Sequence, residues 1–322
     1  MTEITILKND AGQRVDRFLS KTYPNLKTAL VCKLMRKKRI KLNGAKAEPN
    51  VILREGDVLR FYLSDELLAK EPRKLGLPDI STEINVIYED ENILLIDKPA
   101  GLVVHEDNDN STDTLIDRVL SYLYHKGEYD PDLENSFVPA LVNRIDRNTS
   151  GIVIAAKNAE ALRILNQKVR DREIQKLYLC AVVGIPKPQS ASLTAYLKKL
   201  PDENRVIISD KKQDGFLTIK TKYRVMNSTK NEELSLLEVD LLTGRTHQIR
   251  AHFAHIGHPL LGDEKYGDSA INKRYHVKKQ ALCSYRLIFK FTTDAGVLEY
   301  LNGKEFSIRE TDDLWFVEMF HS

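Results

Sequence analysis

Residues 141–151 of this 322-residue chain are Leu-Val-Asn-Arg-Ile-Asp-Arg-Asn-Thr-Ser-Gly. The segment joins two apolar runs with strand character, Val138–Val142 and Ile152–Ala156, so it predicts a loop at a strand end. Asp, Asn, Ser and Gly favour turns, and Asp146 can therefore be a turn residue only. Alternatively, Asp146 is a carboxylate held by an arginine of this loop or by a more distant one. Such an ion pair would keep it ionised as a nucleophile or base.

Apolar runs of the same character recur from residue 83 onward, whereas helical patterns are few. These further runs are Ile84–Tyr88, Ile93–Ile96, Leu102–Val104, Leu177–Val183, Phe216–Val225, Leu234–Leu242 and Leu282–Phe291. Helices are predicted over Thr114–Tyr124 and over Asn158–Arg170, where Asn158 suits an N-cap. Because strands and helices do not alternate regularly, a doubly wound parallel sheet is not expected. We expect an α+β protein whose larger domain, residues 83–322, is a mixed, largely antiparallel sheet with peripheral helices.

Positive charge is concentrated at the start of the chain. Residues 1–64 contain 14 Lys and Arg against 6 Asp and Glu, and the remainder contains 35 against 40, within an overall net charge of +3. The densest run consists of Lys33, Arg36, Lys37, Lys38, Arg39 and Lys41. This run is either a solvated helix face or a surface that binds phosphates. An asymmetry of this kind between segments points to nucleic acid.

The basic segment also has the pattern of a small folded module. Two stretches of helical periodicity are followed by an Asn43-Gly44 hairpin signal and a short strand at Val58–Tyr62. We therefore predict a compact domain over residues 1–64, with two short helices packed on a small hairpin. Residues 65–82 are charged, contain two prolines and lack a sustained apolar period, which indicates a linker.

Several kinds of chemistry lack their motifs. The chain has no GxxxxGK[ST], GxGxxG after a strand, GxSxG or HExxH, so nucleotide hydrolysis, dinucleotide redox and serine-hydrolase chemistry are not expected. Cys32, Cys180 and Cys283 are far apart, which excludes a disulfide scaffold. The first residues show no apolar stretch of signal-peptide length, and no window approaches the roughly 20 apolar residues of a membrane span. A cytoplasmic location is expected.

Four of the eight histidines lie close together, and they raise the question of a metal site. They are His247, His252, His255 and His258. No acidic residue lies among them and the nearby Arg245 and Arg250 would repel a cation, so a structural or RNA-contacting role is preferred over zinc. The stretch predicts a helix over Thr246–Ile256 that stops at Gly257. The start of such a helix, next to an arginine, suits a phosphate or carboxylate.

Four segments carry the most specific motifs of the chain. They are Asp97–Leu102 (DKPAGL), Asn143–Gly151 (NRIDRNTSG), Lys176–Gly184 (KLYLCAVVG) and Thr243–Arg250 (TGRTHQIR). In this order they resemble the motifs of the RluA-type pseudouridine synthases. Residues 1–64 resemble an S-four type RNA-binding domain through Arg14–Leu19, Arg36–Gly44 and Glu55–Asp57, although Leu26-Lys27-Thr28 stands where that domain usually has Ser-Arg-Ser. The two resemblances together cover nearly the whole chain.

The resemblance implies the pseudouridine synthase fold and isomerisation of uridine in RNA without metal or organic cofactor. It implies that Asp146 is the catalytic carboxylate, either as nucleophile or as the base that removes a sugar proton. Tyr178 would stack on the uracil, and Arg245 would pair with Asp146 and lower the pKa of that carboxyl. Arg144 would enter the space left by the flipped base. Leu282 would line the pocket.

Further residues are assigned to RNA contact, and two positions depart from the family pattern. The contact candidates are Thr149, His247, Lys33, Arg36, Lys37, Lys38 and Arg39. Asn143 and Cys283 replace histidines of the family pattern, which affects loop anchoring or target choice. Without the motifs, Tyr178 and Leu282 would be packed residues and Arg245 a surface phosphate contact.

The expected function is isomerisation of uridines in large-subunit ribosomal RNA by a monomeric enzyme. Alternatives are a synthase acting on tRNA and a non-catalytic RNA-binding or ribosome-assembly protein that keeps the fold. A glycoside or nucleoside hydrolase would need a second carboxylate near Asp146, and residues 139–157 contain no other acidic residue.

Overall fold

The computed structural model describes residues 1–70, 80–106, 113–200, 203–308 and 314–321. The helices α1–α6 are Val15–Thr22, Thr28–Arg36, Leu115–His125, Ala159–Arg170, Gln248–His255 and Ser269–Arg274. The strands β1–β8 are Thr2–Thr5, Ile40–Leu42, Ala45–Lys46, Val58–Phe61, Asn85–Glu89, Ile93–Lys98, Ala140–Leu141 and Ser150–Ala156. The strands β9–β15 are Ile174–Val183, Ser190–Leu200, Arg205–Ser209, Leu217–Ser228, Leu234–Leu241, Leu282–Phe289 and Glu305–Ser307. In the described ranges, every helix falls short of the length and apolar character needed to cross a membrane.

The N-terminal module is an antiparallel sheet in the order β1-β4-β2-β3, covered by α1 and α2. Both residues of the Asn43-Gly44 turn have positive φ, at +50° and +80°, and the predicted hairpin β2–β3 is confirmed. Leu67 and Leu68 pack against the core of this module, so its packing extends beyond residue 64 into the predicted linker 65–82. Residues 71–79 of that linker lie outside the described ranges.

The N-terminal module is docked against the larger domain through a buried carboxylate. Asp10 is fully buried, and its carboxylate accepts hydrogen bonds from the Ser136 amide at 3.1 Å, the Ser136 hydroxyl at 2.7 Å and the Asn135 side chain at 2.8 Å. Arg163 of α4 donates to the Ala11 carbonyl at 3.1 Å. Removing the module would therefore uncover buried polar groups on the larger domain, because these bonds satisfy them.

The larger domain is built on one sheet in the order β11-β10-β12-β13-β9-β14-β8-β6-β5, with β7 paired to β8 and β15 to β14. The described strands pair antiparallel except β8 with β14, so the predicted mixed, largely antiparallel sheet with peripheral helices is confirmed. Along β6, Ile93 and Leu95 pack against α4 and the C-terminal segment, whereas Leu94 and Ile96 pack against α3 and α5. Both faces of the sheet centre are buried, which explains the continuous apolar runs there.

Some element boundaries differ from the predictions. The predicted helices over Thr114–Tyr124 and Asn158–Arg170 are α3 and α4, with the side chains of Thr114 and Asn158 as N-caps. The predicted strand Leu102–Val104 is wrong, because it reduces to a single bridge from Val103 to Thr114. Val138–Val142 shortens to β7. Strands β10 and β11 were not predicted, since polar residues interrupt their apolar pattern.

Candidate active site

Asp146 lies on the loop between β7 and β8, and Asn143 anchors that loop. The Asn143 side chain donates to the Ile152 carbonyl at 3.2 Å and accepts from the Ile154 amide at 2.8 Å. The amide of Thr149 donates to the Asp146 carbonyl at 3.0 Å and closes a turn. The Asp146 side chain remains 27% exposed. Asn143 thus supplies both a donor and an acceptor to β8 at the position where the family motif has histidine.

Lys98 holds the same loop from the other side. This lysine is fully buried, and its ammonium donates to the carbonyls of Pro99 at 2.7 Å, Leu102 at 2.7 Å and Arg147 at 3.0 Å. Burial lowers the pKa of Lys98 to about 8, and the charge of Asp146 opposes that shift. Three donors meet three carbonyl acceptors, so the ammonium fixes the backbone directly after Asp146.

The end of the loop is fixed by the parallel contact between β8 and β14. Ser284 of β14 pairs with Gly151 of β8 on one side and with Tyr178 of β9 on the other. Thr149 is buried, and its hydroxyl accepts a hydrogen bond at 2.6 Å from Gln280, just before β14. The Asp146 loop and the strand that carries Tyr178 are therefore joined through one short segment of β14.

Arg250 provides the cation that faces Asp146. Its Nη1 lies 3.0 Å from Asp146 Oδ2, and its Nε and Nη2 bind both oxygens of Asp263 at 2.6 and 3.0 Å. Burial alone would lower the pKa of Arg250, but hydrogen bonds to Asp263 and the charge of Asp146 raise it above its ordinary value. The same hydrogen bonds outweigh burial at Asp263 and leave the pKa of that carboxyl below its ordinary value.

The predicted ion pair of Arg245 with Asp146 is therefore wrong. Arg245 is exposed, and its backbone amide donates to Gln248 Oε1 at 3.2 Å. Helix α5 begins at Gln248 rather than Thr246, because His247 has a left-handed φ of +51°. This turn directs the first helical turn, with Arg250, toward Asp146, while Arg245 stays on the preceding loop.

Gln248 has a structural role that the motif alone did not reveal. It is buried, and its side-chain oxygen accepts from the Thr243 hydroxyl at 2.8 Å. Its amide donates to the Lys220 carbonyl and the Thr221 hydroxyl, each at 3.0 Å. Gln248 thus ties the loop before α5 to strand β12. In the sequence, the only indication of this structural role is that a glutamine directly follows Thr246 and His247.

Tyr178 and Leu282 lie together under the loop. Both are 4% exposed and belong to the core cluster that also contains Ile145. Burial, together with the charge of Asp146, raises the pKa of Tyr178 above its ordinary value, so the phenol stays protonated at neutral pH. Cys283 is also buried, and burial raises the pKa of its thiol to about 12. A neutral thiol thus stands where the family pattern has histidine.

The remaining residues that the sequence suggested for RNA or metal binding lie on the protein surface and on or next to helix α5. Arg144 is exposed on the Asp146 loop, and the basic residues Lys33, Arg36, Lys37, Lys38 and Arg39 are exposed at the end of α2. The clustered histidines bind separate partners: His247 contacts Tyr266, His252 Thr221, His255 Asp210 and His258 the Val183 carbonyl. Within the described ranges, no three His, Cys, Asp or Glu side chains are placed to hold a metal ion.

The two arginines can be separated by substitution. Arg250→Gln leaves Asp263 buried without its cation, and we expect a loss of about 3–5 kcal/mol in the free energy of unfolding. Arg245→Gln changes an exposed side chain, and we expect a change within about 0.5 kcal/mol. Urea unfolding of both variants measures the difference. Equal destabilisation by the two substitutions would contradict the assignment of the ion pair to Arg250.

Comparison with known proteins places this site in a family. The RNA pseudouridylate synthase family profile matches residues 92–255. An RNA pseudouridine synthase from Aquifex aeolicus is 34% identical over 257 residues, which cover 79% of this chain and 77% of the relative. Ribosomal large subunit pseudouridine synthase C from Rickettsia conorii is 32% identical over 269 residues, covering 81% and 84%.

A solved structure shares the fold. Human RNA Pseudouridylate Synthase Domain Containing 4 aligns with a TM-score of 0.56 and 20% identity over 73% of this chain and 90% of its own. Together with the sequence matches, these findings show that the chain belongs to the RNA pseudouridylate synthase family, as the RluA-type motifs predicted. It is therefore an RNA pseudouridine synthase, an isomerase.

Proposed function

We propose that this enzyme isomerises uridines of large-subunit ribosomal RNA, with Asp146 as its catalytic carboxylate and with the target nucleotide flipped out of its stack. The observation that carries the proposal is the placement of Asp146 on a loop fixed on both sides, partly open to solvent and 3.0 Å from Arg250. The Rickettsia conorii relative is named a ribosomal large subunit pseudouridine synthase, which favours the large ribosomal subunit.

The chemistry requires a carboxylate beside the ribose and no added reactant. The bond from ring nitrogen one to the sugar breaks, a bond from ring carbon five to the sugar forms, and one proton moves from carbon to nitrogen. Asp146 supports either route, because an ionised carboxylate can attack the sugar or remove a sugar proton. Arg250 lies 3.0 Å from the Asp146 carboxylate and orients it through a hydrogen bond. The neutral phenol of Tyr178 is 4% exposed and belongs to the same core cluster as Ile145, the residue before Asp146.

Flipping the nucleotide costs a few kcal/mol, and a side chain that fills the vacated stack offsets part of that cost. Arg144 suits this purpose because it is exposed and lies two residues before Asp146. A planar guanidinium can stack on the neighbouring bases. The exposed basic residues at the end of α2 would bind RNA phosphates.

The target RNA can be tested directly. The protein is incubated with unmodified transcripts of bacterial large-subunit ribosomal RNA and, separately, with a pool of tRNA transcripts, and pseudouridines are mapped in both. We expect one or a few sites in the ribosomal RNA and none in the tRNA pool. Modification confined to tRNA would overturn the ribosomal assignment, and a lack of product in both would overturn the proposed function.

The basic surface of the N-terminal module predicts a salt effect. Replacing Lys33, Arg36, Lys37, Lys38 and Arg39 together by Gln removes five charges without uncovering the interface around Asp10. We expect the slope of log affinity against log salt concentration to fall by up to about four, since each phosphate contact contributes about 0.7–0.9. Binding is measured by titration of a ribosomal RNA fragment at several salt concentrations. A matched variant replaces Lys278, Lys279, Lys230, Lys290 and Lys304, and an equal loss of slope there would contradict the prediction.

A further inference from the structure

His247 lies next to Asp146 but takes no part in its ion pair with Arg250. It adopts a left-handed backbone conformation with φ +51°, which few side chains tolerate. Its side chain is only 8% exposed, and its Nε2 is 4.0 Å from Asp146 Oδ2. The backbone conformation directs the imidazole toward the carboxylate, so its proton arrangement bears on the site.

A chain of hydrogen bonds sets that proton arrangement. The amide of Val206 donates to the Tyr266 hydroxyl at 2.8 Å, and the same hydroxyl lies 3.0 Å from His247 Nδ1. The hydroxyl oxygen accepts from Val206, and among the described residues Nδ1 is the acceptor within reach of the hydroxyl proton, so that proton is directed at Nδ1. Nδ1 is then the acceptor, and the ring proton of a neutral imidazole is on Nε2, toward Asp146.

The surroundings favour the neutral ring. Burial lowers the pKa of His247 to about 4, and Arg250 and Lys265 add to that effect, whereas Asp146 and Asp263 oppose it. At neutral pH the imidazole is therefore uncharged. It donates from Nε2 and does not compete with Arg250 as a second cation.

The distance between the two groups is suited to one intervening oxygen. A separation of 4.0 Å between Nε2 and Oδ2 is too long for a direct hydrogen bond. An oxygen at about 2.8 Å from each would close the gap. Nε2–H can only donate and the carboxylate can only accept, so the group between them must accept and donate. Uracil carbonyls only accept and uracil N–H groups only donate, whereas a hydroxyl does both.

We infer that His247 and Asp146 together bind the 2′-hydroxyl of the target nucleotide, which makes His247 a residue that selects ribose over deoxyribose. Within an RNA strand the 3′ and 5′ oxygens are esterified, so the 2′-hydroxyl is the free hydroxyl of the sugar. Its carbon, C2′, is bonded to C1′, the sugar carbon at which the bond to uracil breaks and re-forms. The inference rests on the proposed function, in which Asp146 lies beside the ribose.

The first test concerns the imidazole and needs no RNA. Long-range proton–nitrogen NMR correlations on the full chain with ¹⁵N-labelled histidine identify the tautomer, and the signal missing in His247→Asn assigns His247. We expect the neutral Nε2–H tautomer at pH 7, and a shift of the tautomer populations in Tyr266→Phe. An imidazolium or a Nδ1–H tautomer in the wild-type protein would overturn the inference. Asparagine is chosen because it tolerates a left-handed conformation.

The second test measures sugar selectivity. The probes are a short RNA around a uridine mapped in the ribosomal RNA experiment and the same RNA with 2′-deoxyuridine at that position. We expect the wild-type preference for uridine, taken as the ratio of single-turnover rates at subsaturating enzyme, to fall about 3- to 10-fold in His247→Asn. Tyr266→Phe should lower it less, and thermal melts verify that both variants fold.

The outcomes separate this inference from the proposed function. If the wild type forms pseudouridine and the preference is the same in His247→Asn, the role of His247 is refuted while the function stands. That result would also follow if a water molecule occupied the gap. If the wild type forms no pseudouridine in any RNA, the function fails, and the inference fails with it.

Discussion

Replacing Asp146 by asparagine is expected to lower the rate of pseudouridine formation by at least about 1,000-fold. The substitution keeps the shape of the side chain but removes the charge that either route requires. Structure should be little affected, because Arg250 keeps its two hydrogen bonds to Asp263 and the Asp146 side chain is 27% exposed. Single-turnover mapping of pseudouridine in ribosomal RNA measures the rate, and a thermal melt verifies the fold.

Glu238→Gln is the matched control for this substitution. Glu238 also has an arginine at 3.0 Å, Arg224, and its side chain is 20% exposed, so the local setting is similar. It lies on β13 and outside the loop that carries Asp146. The control should keep the wild-type rate. More than a tenth of the activity remaining in Asp146→Asn would show that another group performs the chemistry.

Structural features could be predicted from the sequence where a short local pattern is compatible with only one backbone conformation. The Asn43-Gly44 turn, the N-cap at Asn158 and the stop at Gly257 follow from backbone preferences of single residues, and the structure has each of them. Continuous apolar runs identified the central strands because both sheet faces are buried. Strand β10 was missed because the prediction relied on continuous apolar runs, whereas in this strand Ser190, Ser192 and Thr194 alternate with Ala191, Leu193 and Ala195.

The choice between two arginines in one motif could not be made from the sequence. Arg245 and Arg250 are both near the start of α5, and the decision depends on the left-handed turn at His247. Periodicity places a helix but does not locate its first residue to within two positions. The partner that fixes Arg250 is Asp263, thirteen residues later, and only the tertiary fold brings the two together.

Gly151→Ala is expected to be strongly destabilising, with a loss of at least about 4 kcal/mol in the free energy of unfolding. A Cβ at this position would lie 2.2 Å from the Ser284 carbonyl oxygen and 2.7 Å from its nitrogen and carbonyl carbon. These are backbone atoms of β14, so no side-chain rotation relieves the overlap. Urea unfolding measures the loss, and a variant that does not accumulate as folded protein agrees with it.

Gly101→Ala is the control that separates the steric overlap of a Cβ with Ser284 from the cost of placing alanine at a positive φ. Gly101 has φ +97° against +106° at Gly151, but a Cβ there would meet nothing within 4 Å. We expect its cost to be about 1–3 kcal/mol, from the conformation alone. Equal losses in the two variants would contradict the role of the close contact. Where Gly151→Ala does fold, β14 must move away from β8. Because Ser284 of β14 also pairs with Tyr178, the strand that carries Tyr178 then separates from the Asp146 loop. We therefore expect activity to fall as well.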